Sequence, residues 1–167
     1  MNFLKFKWVA VVLAIIIVVV DQITKNAILQ KFPAEGMSQA ITSFFNLVLV
    51  YNHGISFGLF NRAPVDIQPL IFIAVAVIIT SILIVWLCRT QSRLIITALG
   101  LVIGGAIGNG IDRALHGAVI DFIDVYVTIG ATPYHWPAFN VADSAIVCGV
   151  GLLFIDSLAF DKKNPQE

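Results

Sequence analysis

Three clusters of polar residues interrupt stretches of apolar sequence: Asp21 with Lys25, Asn109 with Asp112 and Arg113, and Asn140 with Asp143. Side chains of these types could run acid–base chemistry. Two carboxylates a few ångströms apart cannot both ionise, so they share a proton. The ionised partner takes a proton from water, which attacks a carbonyl. The protonated partner polarises that carbonyl and later helps to protonate a leaving amine. The route needs neither a metal nor a covalent intermediate. Ionisable groups within a bilayer are costly unless paired or wet, so they mark a working site.

The elements that must position these clusters are four apolar runs, roughly 8–29, 69–88, 94–111 and 138–160, each about the length of a spanning helix. Lys5 and Lys7 precede the first run, Arg89 and Arg93 fill the link between the second and third, and Lys162 and Lys163 follow the fourth. The positive-inside rule puts all three basic groups, and so both termini, in the cytoplasm. Helix 1 then runs outward, and Asp21, 13 residues past Trp8, lies about 20 Å along it. Helix 3 ends on Asn109–Arg113, and helix 4 begins with Asn140 and Asp143. All three clusters are therefore expected at the outer leaflet, with the connections 30–68 and 114–137 outside.

Composition excludes an ordinary soluble domain: of 167 residues, 59% are hydrophobic and only 12% charged, and the mean hydropathy is +0.93. A net charge of zero carries no sign of a nucleic-acid surface. Residues 1–167 read as one membrane domain. The basic start imitates a secretory signal, but the run breaks at Asp21 and Gln22 without an A-x-A site, so an uncleaved first span is expected. Cys88 and Cys148 fall at different depths of spans 2 and 4; packing rather than a disulfide is expected of them. Gly100, Gly104 and Gly108 repeat at every fourth residue, a spacing that lets helix backbones approach closely and fixes Asn109 at the end of the same helix. Residues 42–51 and 119–127, rich in β-branched and aromatic side chains, read as strands; with Tyr134, Trp136 and Phe139 they predict a small sheet at the membrane interface. The expected fold is an all-α membrane protein of four transmembrane helices, with a small β-rich extracytoplasmic subdomain formed by the two outer loops.

Five blocks of this sequence resemble, in order, the motifs of the bacterial lipoprotein signal peptidases (signal peptidase II). They are Asp21-Gln-Ile-Thr-Lys25, Asn52-His-Gly54-Ile-Ser-Phe57, Gly104-Gly-Ala-Ile-Gly-Asn109-Gly-Ile-Asp112-Arg113, Val119-Ile-Asp121-Phe122 and Phe139-Asn140-Val-Ala142-Asp143. The first alone is a weak signal; the third with the fifth is highly specific. The resemblance implies an aspartic endopeptidase of the bacterial inner membrane, without a cofactor or metal. Its substrate would be a prolipoprotein whose lipobox cysteine carries a diacylglyceryl group, and its partners that substrate and membrane lipid, with the chain a monomer. By the same resemblance, Asp121 and Asp143 are the catalytic pair, Asn52, Gly54, Asn109, Arg113, Asn140 and Ala142 line the site, and Asp21, Lys25 and Asp112 support it. One departure stands out: Ile55 and Ser56 occupy places where the family often has two alanines.

Other readings compete. Gly54-Ile-Ser56-Phe-Gly58 fits the G-x-S-x-G pattern of a serine nucleophile, yet Ser56 lies in an outer loop and not on a strand-to-helix turn. His53, His116 and His135 lack the close helical spacing of a zinc site. A small proton- or cation-coupled transporter would also place acids in a membrane, but these acids gather at one face. The inner halves of the runs hold few polar residues beyond Thr80, Ser81, Thr97 and Asp156, the last expected as a solvated boundary residue. Lys25 and Arg113 are expected to anchor by salt bridges to Asp21 or Asp112, or else to meet substrate. Periodicity does not choose between Asp121 and Asp124, which point to opposite faces of a strand.

Overall fold

The computed structural model describes residues 3–54 and 68–163. In chain order the elements are α1 (Phe3–Lys31), β1 (Ser38–Ala40), β2 (Phe45–Asn52), α2 (Gln68–Arg89), α3 (Arg93–His116), β3 (Val119–Ile129), β4 (Thr132–His135) and α4 (Val141–Lys163). All four helices are long and apolar enough to cross a membrane. Ile55 and Ser56 lie outside the described residues.

The most buried helix, α3, packs against α1, α2 and α4. Its glycine stripe makes this possible. A Cβ on Gly100 would come within 2.8 Å of the Ala10 Cα, and one on Gly104 within 2.8 Å of the Ala14 Cα, so α1 and α3 touch backbone to backbone. Ala10, Leu87, Ile96, Leu99 and Ile103 form the inner core. Large apolar side chains such as Trp8, Ile15, Ile82 and Phe154 face outward. In water that surface would drive aggregation, whereas in a bilayer it meets lipid tails. Cys88 and Cys148 are free and exposed on this surface. The expectation that they are packing residues is corrected: both side chains lie exposed on the helix surface.

The ends of the helices differ from the hydropathy reading for local reasons. At its start, α3 is capped by Ser92, whose hydroxyl accepts from the Ile95 N–H at 3.4 Å. It then runs five residues beyond 111 to His116 and stops at Gly117, where φ is 72°. The Ser92 hydroxyl also donates to Asp156 Oδ1 at 3.1 Å. Asp156, half-buried, is thus also a tie between the start of α3 and α4. The last helix starts at Val141 rather than 138, because Phe139 is held in an extended bridge with Ile123 by bonds of 2.8 and 3.1 Å.

The connections from α1 to α2 and from α3 to α4 form one antiparallel sheet in the order β1-β2-β3-β4. The central strands β2 and β3 match the two expected runs; β1 and β4 are short, exposed additions. Ile28 and Phe32 at the end of α1 pack with Leu49, Ile120 and Phe122 beneath the sheet. The β2–β3 register pairs Val50 with Asp121 and Asn46 with Asp124, with an irregularity between Leu47 and Val50.

Candidate active site

The polar centre is built from the C-terminal ends of α1 and α3, the start of α4 and the first residues of β3. Lys25 is 1% exposed. Its ammonium donates to Asp21 Oδ2 at 2.8 Å, Asp112 Oδ2 at 2.7 Å and Asn109 Oδ1 at 3.0 Å. Three donors meet three acceptors, so the charge is fully engaged. Both carboxylates then reach further. Asp21 Oδ1 accepts from the Ala142 N–H at 2.9 Å, holding the first turn of α4. Asp112 Oδ2 accepts from the Ile120 N–H at 3.0 Å, holding the start of β3. Gln22, within the first motif block but given no role from sequence, donates to Asp112 Oδ1 at 2.8 Å.

Above this ion cluster stand two asparagines. Asn140 caps α4, and Asn140 and Asp143 bond reciprocally: the Asp143 N–H donates to Asn140 Oδ1 at 2.8 Å, and the Asn140 N–H to Asp143 Oδ2 at 3.2 Å. Asn109 donates from Nδ2 to Asp143 Oδ1 at 2.7 Å. Asn140 Nδ2 lies 2.7 Å from Asp121 Oδ1 and 3.1 Å from Asn109 Oδ1. Asp121 Oδ2 accepts from Asn52 Nδ2 at 3.0 Å. Asp121 and Asp143 are therefore held by a common residue, Asn140. Asp121 is 2% exposed, whereas Asp143 is half-buried and Asn52 exposed. No buried side-chain nitrogen or oxygen among the described residues lacks a partner.

Burial pushes the Asp121 carboxyl up to about 7 from its ordinary 3.8. The bond from Asn52 opposes that rise, the charge of Asp143 adds to it, and the bond from Asn140 opposes it. This acid holds its proton into the neutral range.

Gly54 sits at φ 79°, its N–H donating to Asn52 Oδ1 at 2.9 Å. A Cβ there would strike the Phe72 ring at 2.7 Å, so the loop passes where only glycine fits. Of the two expectations for Arg113, the salt bridge to Asp21 or Asp112 is not formed. Its guanidinium lies over the Phe72 ring at 5.3 Å and donates to Asn109 O at 3.3 Å, while Lys25 alone takes both carboxylates. Phe72 carried no signal in the sequence, because one aromatic in an apolar helix looks like any other. Asp124 faces elsewhere: Asn46 Nδ2 donates to it at 2.8 Å, and His135 Nδ1 lies 2.8 Å from it. His53 and His116 join no group of metal-ligating side chains among the described residues.

Four membrane-length helices carrying a polar centre of carboxylates, amides and one buried lysine define a membrane-embedded protein whose buried polar groups gather at one end of the bundle. The family model described as Signal peptidase (SPase) II matches residues 13–159. The lipoprotein signal peptidase of Paraburkholderia phymatum is 48% identical over 153 residues, covering 90% of this chain and 87% of that protein. That of Francisella tularensis subsp. novicida is 39% identical over 166 residues, covering 98% and 100%. A solved bacterial membrane enzyme superposes with TM-score 0.76 at 32% identity, covering 95% of this chain and 92% of its own. The chain belongs to the signal peptidase II family and is a peptidase. A transporter is not supported.

Proposed function

We propose that this protein is an aspartic endopeptidase that removes the signal peptide of a diacylglyceryl-modified prolipoprotein immediately before the lipidated cysteine, with Asp121 and Asp143 as the catalytic pair. The observation that carries the proposal is Asn140, which donates to Asp121 and bonds reciprocally with Asp143. Asp121, pushed up to about 7, carries the shared proton and polarises the scissile carbonyl. Asp143 takes the proton from the attacking water; Asp121 passes its own to the departing amine. Asn109, Asn140 and Ala142 hold the geometry, and Asp21, Lys25 and Asp112 lock α1, α3, α4 and β3 together beneath it. Asn52, Gly54 and Arg113 stand where the substrate backbone or its lipid would enter.

The chain acts as a monomeric single domain of the bacterial inner membrane, with both termini cytoplasmic and the site at the outer leaflet. There the substrate's lipid stays in the bilayer while its scissile bond lies among the head groups. Reporters fused at Asn2, Gln91 and Glu167 are expected inside, and those at Glu35 and Thr132 outside; an external reporter at Gln91 would reverse the orientation. The activity is tested by incubating purified protein in detergent with lipidated and unlipidated prolipoprotein, scored by gel shift. Cleavage of the lipidated form only is expected; equal cleavage of both would remove the lipid from the reading.

A further inference from the structure

Away from the polar centre, α1 and α2 part over α3 and leave a lateral groove of about 700 Å³. Its α1 wall includes Lys7, Val11, Ala14 and Val18, and its floor includes Ile103 and Ile107 of α3. From Lys7 to Val19 the groove runs 12 residues, about 18 Å at 1.5 Å per residue, close to the depth of one leaflet. Above Val19 the next residue on that face is Gln22, whose amide crosses to Gly108 O and Asp112. The groove therefore stops short of the site. At its other end Lys7 donates to the carbonyl of Cys88 across the mouth of the groove, which uses one of its three N–H groups. Arg89 and Arg93 are exposed at the same end, with Arg93 over the Phe6 ring at 5.4 Å. The groove is lined by no acidic side chain among the described residues.

We infer that this groove is a binding site for an anionic phospholipid of the inner leaflet, its acyl chains lying between α1 and α2 and its phosphate held by Lys7 and Arg93. An apolar trough one leaflet deep with cations at its mouth complements a charged lipid and nothing soluble. A second hydrophobic occupant, the signal helix of a substrate, is disfavoured by charge. Its basic n-region would meet the same cations at the same depth. Burying acyl chains there would also fill the gap that leaves α2 packed chiefly on α3.

The assignment to the inner leaflet rests on the orientation proposed above. Lipid retention in detergent does not depend on orientation, so the two fail separately. The experiment is native mass spectrometry of the full chain released from micelles containing phosphatidylglycerol or phosphatidylcholine. Retention of phosphatidylglycerol at least about tenfold above phosphatidylcholine is expected. Lys7→Gln with Arg93→Gln should abolish the preference, Lys7→Arg should keep it, and Val11→Trp, which fills the trough, should lower retention of both lipids. Equal retention of the two lipids by the parent would overturn the inference, as would an undiminished preference in the double variant. So would a photo-crosslinker at position 11 that traps a substrate's signal helix instead of lipid.

Discussion

Replacing Lys25 with methionine keeps an unbranched side chain, one atom shorter, and removes all three of its donors. Asp21 and Asp112, 0% and 1% exposed, would then face each other across an apolar thioether. Removing one member of a buried ion pair costs about 3–5 kcal/mol, because a charge is left uncompensated. Here two charges lose their cation, but neither is left bare: Asp21 keeps the Ala142 N–H and Asp112 keeps Gln22 and the Ile120 N–H. The two effects oppose each other, so a loss of about 3–5 kcal/mol stands. The parent cluster of Asp21, Lys25 and Asp112 carries a formal charge of −1, the variant −2, and Lys25→Met with Asp112→Asn returns to −1. The double variant is therefore expected to recover at least about 1 kcal/mol. Unfolding in detergent, followed by circular dichroism against added dodecyl sulfate, measures both steps. Cleavage by the folded fraction should fall about tenfold and not vanish, since Asn109 still accepts from Asn140. A single variant within about 0.5 kcal/mol of the parent would refute the claim that this cluster clamps the four elements.

Asp121→Asn and Asp143→Asn should each lower turnover in the gel-shift assay by several orders of magnitude, the double variant losing little more, because partners acting as a unit fail together; Asp124→Asn, with its partners Asn46 and His135, should stay within about tenfold. An inactive Asp124→Asn beside an active Asp121→Asn would reassign the pair. Because the fold raises the Asp121 carboxyl from 3.8 to about 7, the native state binds the extra proton between those values. Stability should then fall as pH rises through that window, by up to about 4 kcal/mol, with Asp121→Asn flattening the slope; cleavage should decline above pH about 7 as the proton is lost. A Cβ on Gly105 would collide with Ala142 O and Ile146, so Gly105→Ala should push α4 from α3 and cut turnover sharply. Gly110→Ala, with nothing within 4 Å, should leave turnover unchanged in the same assay. Ser56→Ala, Cys88→Ala and Cys148→Ala should retain cleavage, and chelators should not inhibit; a folded but inactive Ser56→Ala would revive a serine nucleophile.

The four helices and the existence of a polar centre were legible in the chain because lipid imposes a one-dimensional rule: long apolar runs span, and a charge within them must have a purpose. The glycine stripe at Gly100 and Gly104 was likewise legible, since its spacing alone implies backbone contact. What the chain by itself left open was partnership. Lys25 could have paired with one acid, and Arg113 with the other. Only the packed bundle brings Asp21, Asp112 and Asn109 within reach of one ammonium and leaves Arg113 to lie on Phe72. Asp121 and Asp124 were equivalent by periodicity and separable only by resemblance to a family. Tertiary structure separates them physically, turning one toward Asn140 and the other toward His135. Hydrogen-bond partners and burial depend on residues that are distant in sequence, here 19 positions for Asp121 and Asn140 and 121 for Asp21 and Ala142. Local pattern determines which groups must be satisfied; only the fold decides by whom.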